Sequence, residues 1–134
     1  MNKRTSSYAK YGISKKRYKE LCGFCEQYPE WISELRSGIS VKSPIVDGMP
    51  HAHTGGKSDR TADTAIRRCI LRDKIKLVEE TAREASPDLW EYIIASACYE
   101  RPYWYLSNVM NIPASDVSFR DSRRYFFYLL HQKI

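Results

Sequence analysis

No stretch of about 18 consecutive apolar residues occurs in the sequence, so no segment is expected to cross a membrane. Histidine and cysteine are scarce, at three and four residues. At 134 residues a chain can bury a real core without metals or disulfides, so the few cysteines are not needed as staples. The stretch Met1 to Tyr11 is basic, yet it runs on into further lysines instead of an apolar segment. No signal peptide is therefore expected, and the expected setting is the cytoplasm with reduced thiols. Wholesale disorder is also excluded, because 43% of the residues are hydrophobic and only 28% charged. No internal repeat, low-complexity segment or strand pair stands out, and the only stretch with strand character is Val41 to Val46.

A catalytic set is missing too. Cys22-Gly23-Phe24-Cys25 has the CxxC spacing but no preceding strand in a βαβ context. His51 and His53 could add two zinc ligands, but their distance from the cysteines matches no recognised finger. The simpler reading is that positions 22 and 25 share one helix face as small buried residues. Gly55-Gly56-Lys57-Ser58 ends like a phosphate-binding loop but lacks its leading glycine and its buried strand. Glu79, Glu80 and Glu84 lie on a helix with no converging partner, which reads as a solvated face. No nucleophile, base and orienting group can be assembled. The sequence predicts a protein that is not an enzyme and has no metal or cofactor.

What is present is positive charge, unevenly placed. The formal net charge is +6. Residues 1–27 hold seven Lys/Arg against Glu20 and Glu26, residues 28–99 are nearly balanced, and residues 100–134 hold five against three. Basic ends are the electrostatic footprint of a nucleic-acid binder, although many basic proteins bind none.

The periodicity predicts an all-α fold, a small bundle with a long central helix. Residues 1–57 form a basic arm, short helices and a Gly/Pro/His loop; residues 58–134 form the helical domain. Ser14 can cap a helix whose Tyr18, Leu21, Cys22 and Cys25 form one stripe. Pro29 opens a second helix, Glu30 to Ser37, with Trp31 and Leu35 on one face and Gly38 as terminator. The stretch Ile39 to Lys57 reads as a long loop. A helix from Ser58 to about Ala85 would span roughly 40 Å. It carries two apolar faces, Ile66/Cys69/Ile70 and Leu71/Ile75/Val78/Ala82/Ala85, one of which could pack on a second copy. Helices are further expected over Ser86–Tyr99, Pro102–Val109 and Ser115–Gln132. The arm and the first helix are expected to lie outside the bundle.

The segment from about 102 to 132 has the layout of a helix-turn-helix: a short helix, a turn, and a longer amphipathic helix. Leu106 with Val109 or Met110 would bury the first helix, Asn111 suits a turn position with positive φ, and Ile112 would anchor it. On the last helix Phe119, Ser122, Phe126, Leu129 and Leu130 make an inward stripe, with Arg120, Arg123, Arg124 and Tyr128 to the side or outward. Ser118 and Asp121 have the capping-box spacing. Hydroxyls and a basic cluster in such first turns suit docking in a major groove, where arginine can fork onto guanine. The plain alternative is an amphipathic helix whose arginines solvate its outer side.

Residues 28–134 resemble phage late-gene transcriptional regulators of the RinA and ArpU type, whose C-terminal part is similar to the region-four helix-turn-helix of sigma factors. The resemblance rests on Tyr28-Pro29, on Asp47-Gly48-Met49-Pro50-His51, and on Ser58-Asp59-Arg60-Thr61-Ala62 leading through Arg67-Arg68 to Lys74-Ile75. Its last element is Arg123-Arg124-Tyr125-Phe126-Phe127. It implies sequence-specific DNA binding in a bacterial host cell, acting with host RNA polymerase on late genes.

The expected contact residues on double-stranded DNA are Ser118, Arg120, Arg123, Arg124 and Tyr128 of the last helix. Lys15, Lys16 and Arg17, helped by Lys3, Arg4 and Lys10, would add salt-dependent affinity. A homodimer is allowed, since one such motif reads few base pairs. The alternative is a non-catalytic phage interaction module that modulates a nucleic-acid machine, with Tyr103, Trp104, Tyr105 and Tyr128 as its aromatic anchors.

Overall fold

The computed structural model describes residues 11–38 and 54–134, with side chains given for 11–36 and 61–134. Among the described residues every regular element is helical, as the periodicity predicts. The elements are α1 (Lys15–Glu26), α2 (Tyr28–Ser33) running into a π turn (Glu34–Gly38), α3 (Thr54–Ala85), α4 (Trp90–Ala97), α5 (Tyr103–Asn108) and α6 (Asp116–Lys133). No described helix is long and apolar enough to cross a membrane.

Local signals set most helix ends. The Ser14 hydroxyl accepts the Arg17 amide at 3.0 Å and caps α1. Pro29 sits in the first turn of α2, where its missing N–H is not needed. The 32-residue α3 starts at Thr54, ahead of the expected Ser58. Gly55 to Ser58 therefore lie in helix and do not form a phosphate-wrapping loop. Val41–Val46, His51 and His53 fall outside the described residues. Ser86 accepts the Leu89 amide at 3.2 Å across a turn, and α4 starts only at Trp90. Ser115, not Ser118, caps α6, accepting the Ser118 amide at 3.1 Å.

Two helix ends close in the same way. Glu100 has φ 55 and is followed by Arg101, whose amide donates to Ala95 O at 3.0 Å. Asn111 has φ 54, as expected of that turn, and Ile112 N donates to Leu106 O at 2.9 Å. Asparagine tolerates this left-handed region better than most residues, and glutamate does so less readily.

α3 is the spine: it packs on α2, α4 and α6. Its Leu71, Ile75, Val78 and Ala82 are buried as one stripe, together with Thr81, whose hydroxyl donates to Leu77 O at 2.6 Å. The other expected face lies open, with Ile66 58% and Ile70 43% exposed. α1 does not stand outside the bundle. It packs on α6, α2 and α4, and its Leu21 and Cys25 are fully buried. The π turn is tied to α3 by Arg67, which donates to both carboxylate oxygens of Glu34 at 2.8 and 3.0 Å. Tyr28 OH donates to Glu79 at 2.5 Å; burial first, then this carboxylate, pushes the phenol well above its ordinary range.

The CxxC pair takes a packing role. Cys25 is buried beside the thiol of Cys98, the residue that caps the end of α4, which together with burial pushes the Cys25 thiol well above the ordinary thiol range. Cys22 is half-buried and raised as well, chiefly by burial. Cys69 is exposed. In a brief maleimide pulse read by mass spectrometry, Cys69 is therefore expected to label first. Cys25 and Cys98 must wait for the helices to part, and an opening of about 3 kcal/mol slows labelling roughly a hundredfold. Fast labelling of either buried thiol would contradict this packing.

Candidate nucleic-acid interface

The last helix sorts its predicted contact residues into different environments. Ser118 is exposed in the first turns of α6. Arg120 is open to solvent, its side chain 65% exposed and paired with Asp116 at 3.1 Å. Arg124 is largely covered, 18% exposed, and donates to Asp121 at 2.5 Å. Asp121 thus engages Arg124 while Ser115 supplies the cap, so the expected Ser118/Asp121 box does not form.

Arg123 turns inward. Its Nε donates to Ser96 Oγ of α4 at 2.9 Å, its Nη1 donates to Tyr18 OH of α1 at 2.9 Å, and its guanidinium lies 4.9 Å from the Phe127 ring centre. The cause is helical spacing. Position 123 stands four residues after buried Phe119 and four before buried Phe127, so its stem lies on the packed face. Sequence reading places Arg123 to the side or outward, as a residue able to contact DNA. The signal that finds it is its place between two aromatic residues on one stripe.

Tyr128 is half-buried, packed on Tyr11 at 5.0 Å and stacked with Tyr125 at 6.2 Å, and its hydroxyl accepts from Gln132 at 3.0 Å. Of the α1 group, Lys15 and Lys16 are exposed. Arg17 reaches across to α6, where its Nε donates to His131 Nδ1 at 3.0 Å, and it also pairs with Glu20 at 3.2 Å. The α1 group thus sits against the far end of α6. Arg120 lies eleven residues before His131 in sequence, roughly 16 Å along the helix axis.

Between the end of α4, α5 and the start of α6 lies a cleft of about 380 Å³. Four arginines line it, Arg101, Arg120, Arg123 and Arg124, with Asp116 as the one acidic residue of the described lining, beside Ser96, Pro102, Tyr103 and Phe119. Arg101 is the member that sequence reading missed. It follows the left-handed Glu100, and its guanidinium lies 4.8 Å from the Tyr105 ring centre.

The turn before α6 partly matches expectation. Leu106 and Ile112 are buried and Met110 is partly buried, but Val109 is exposed. The short helix before the turn rests chiefly on α4. Tyr103 is half-buried, with its hydroxyl donating to Ala114 O at 2.6 Å, whereas Trp104 is 61% exposed. Arg101 also lines a shallow depression of about 290 Å³ formed by Ile94, Tyr99, Tyr105 and Met110 with Glu91. No group of three His, Cys, Asp or Glu side chains suited to a metal ion occurs among the described residues.

No protein-family model, no curated protein and no solved structure matches the chain.

Proposed function

We propose that this chain is a sequence-specific DNA-binding regulator of transcription, of the phage late-gene kind that its sequence resembles. The observation that carries the reading is the contact between α1 and α6. Arg17 meets His131, 114 positions away, so the basic start of α1 and the first turns of α6 belong to one packed unit. Two positive groups on one scaffold suit a ligand that offers phosphates at intervals along a rail. In this reading Ser118 and Arg120 approach the bases and adjoining phosphates. Lys15 and Lys16 supply sequence-independent attraction, and Arg123 is a scaffold residue.

Binding of duplex from the gene's own neighbourhood and of random duplex, each across a salt series, tests the reading. Lys15→Ala/Lys16→Ala is expected to weaken both duplexes alike and to flatten the salt slope by roughly 2. Ser118→Ala/Arg120→Ala is expected to erase roughly tenfold or more of the preference for the native fragment. Weak, sequence-blind binding that disappears near physiological salt would sink the reading.

One observation favours a second function. Trp104 is exposed and its ring lies 6.0 Å from that of Tyr105, which lines the apolar depression, and exposed rings of this kind anchor protein partners. A partner that binds the wild type and loses affinity with Trp104→Ala, alongside failed DNA binding, would replace the first reading with that of an interaction module.

A further inference from the structure

We infer that the cleft between α4, α5 and α6 is a phosphate-binding site, with Arg123 and Arg124 as its held walls and Arg101 and Arg120 as its exposed ones. Four guanidinium groups around one space repel each other. Asp116, paired with Arg120, and Asp121, paired with Arg124, offset two of those charges, so the cleft keeps a surplus of positive charge. An anion relieves that repulsion, and arginine's planar fork matches the oxygens of a phosphate.

The site is also preorganised. Arg123 is held from two sides by Ser96 and Tyr18 and from below by Phe127. Arg101 rests on Tyr105 and leaves a chain whose direction is set by the left-handed Glu100. Arg123 therefore has little side-chain freedom left to lose when an anion arrives. Arg120 is 65% exposed and has its pair with Asp116 to exchange, and a pair with an open arginine is weak. At about 380 Å³ the cleft holds a phosphate with room for a second, linked one.

The ligand chemistry is a phosphate group, and it has two sources: a free phosphorylated compound or the backbone of DNA. The second source rests on the function proposed above; the first does not.

The test uses the full chain and inorganic pyrophosphate at low salt, followed by calorimetry and thermal shift. Wild type is expected to bind and to melt higher. Arg101→Gln and Arg120→Gln, both at exposed positions, are expected to fold normally and to bind at least tenfold more weakly. Lys76→Ala removes one positive charge on α3, outside the cleft, and is expected to bind like wild type. Absence of binding, or equal binding by all four proteins, overturns the site. Equal loss in Lys76→Ala and Arg101→Gln overturns it too, because general charge then explains the effect.

The DNA arm measures the salt slope of duplex binding in Arg101→Gln. A slope smaller by about 1 assigns the site to a backbone phosphate. An unchanged slope with pyrophosphate binding lost assigns it to a free ligand. Pyrophosphate binding in a wild type that ignores DNA keeps the site and removes the DNA reading.

Discussion

Arg123→Ala is expected to lower stability by about 2 to 3 kcal/mol and Tm by roughly 10 °C, the behaviour of a core residue. Two charge-assisted hydrogen bonds are lost at once, to Ser96 and Tyr18, along with a cation over Phe127. Hydrogen bonds from a charged donor contribute about 1.5–3 kcal/mol each, and the ring contact adds about 0.5–1. The net is smaller than the sum because Ser96 and Tyr18 are only half-buried and can find water. Arg123→Lys restores the charge but cannot reach both oxygens with one ammonium, so it recovers less than half of the loss. Arg120→Ala serves as the contrast and stays within about 0.5 kcal/mol of wild type, since the Arg120 side chain is 65% exposed and pairs with Asp116. Chemical denaturation settles the matter: an Arg123→Ala midpoint equal to that of Arg120→Ala would mean that Arg123 does not join the helices.

A larger loss is expected one turn further along. Phe127→Ala should cost about 3–5 kcal/mol, a large share of the roughly 5–15 kcal/mol that holds a domain together. The ring is fully buried, 5.0 Å from Phe126 and 5.2 Å edge-on from Tyr18. Its removal opens a cavity where α1 meets α6, and helices pinned by several neighbours collapse into such a space poorly. Phe127→Leu keeps most of the volume and should cost less than about 1.5 kcal/mol. Because Arg123 rests on this same ring, the double variant Arg123→Ala/Phe127→Ala should lose less than the two single losses added, by at least about 0.5 kcal/mol. Strict additivity, or a Phe127→Ala variant as stable as Phe127→Leu, would remove the ring from the junction.

Regular spacing made much of this architecture readable. Leu21 and Cys25 on α1, the stripe from Leu71 to Ala82, and Phe119, Phe126 and Leu130 on α6 are buried where a 3.6-residue period puts them. Asn111 and Ile112 take the roles that turn chemistry assigns them. The failures have physical causes. Ile66 and Ile70 show the same apolar period as their buried neighbours, and a period alone cannot say that no described helix covers them. Phe127 lies just beside the predicted stripe of α6, and a stripe one residue wider would have included it together with Arg123. The arginine-lined cleft was the least legible part. Arg101 stands between two short helices with no pattern of its own, and only the fold brings it to Arg120, Arg123 and Arg124. Whether a given arginine binds a ligand or holds the scaffold depends on partners more than a hundred positions away, such as Tyr18.

That separation also bears on how the chain folds. The joints between α1 and α6 span 114 residues for Arg17 to His131 and 105 for Tyr18 to Arg123. Closing a loop of such length costs roughly 4 kcal/mol of chain entropy, whereas α3 and α4 meet across a short turn. Local pairs therefore form first and α1 docks late. On a ribosome the wait is longer still. Leu21 and Cys25 have left the exit tunnel long before the side chains of α6 that cover their helix are made, so for several seconds the nascent chain carries an uncovered greasy stripe. Protection by a chaperone, or slippage into aggregates when that protection fails, is decided in this interval.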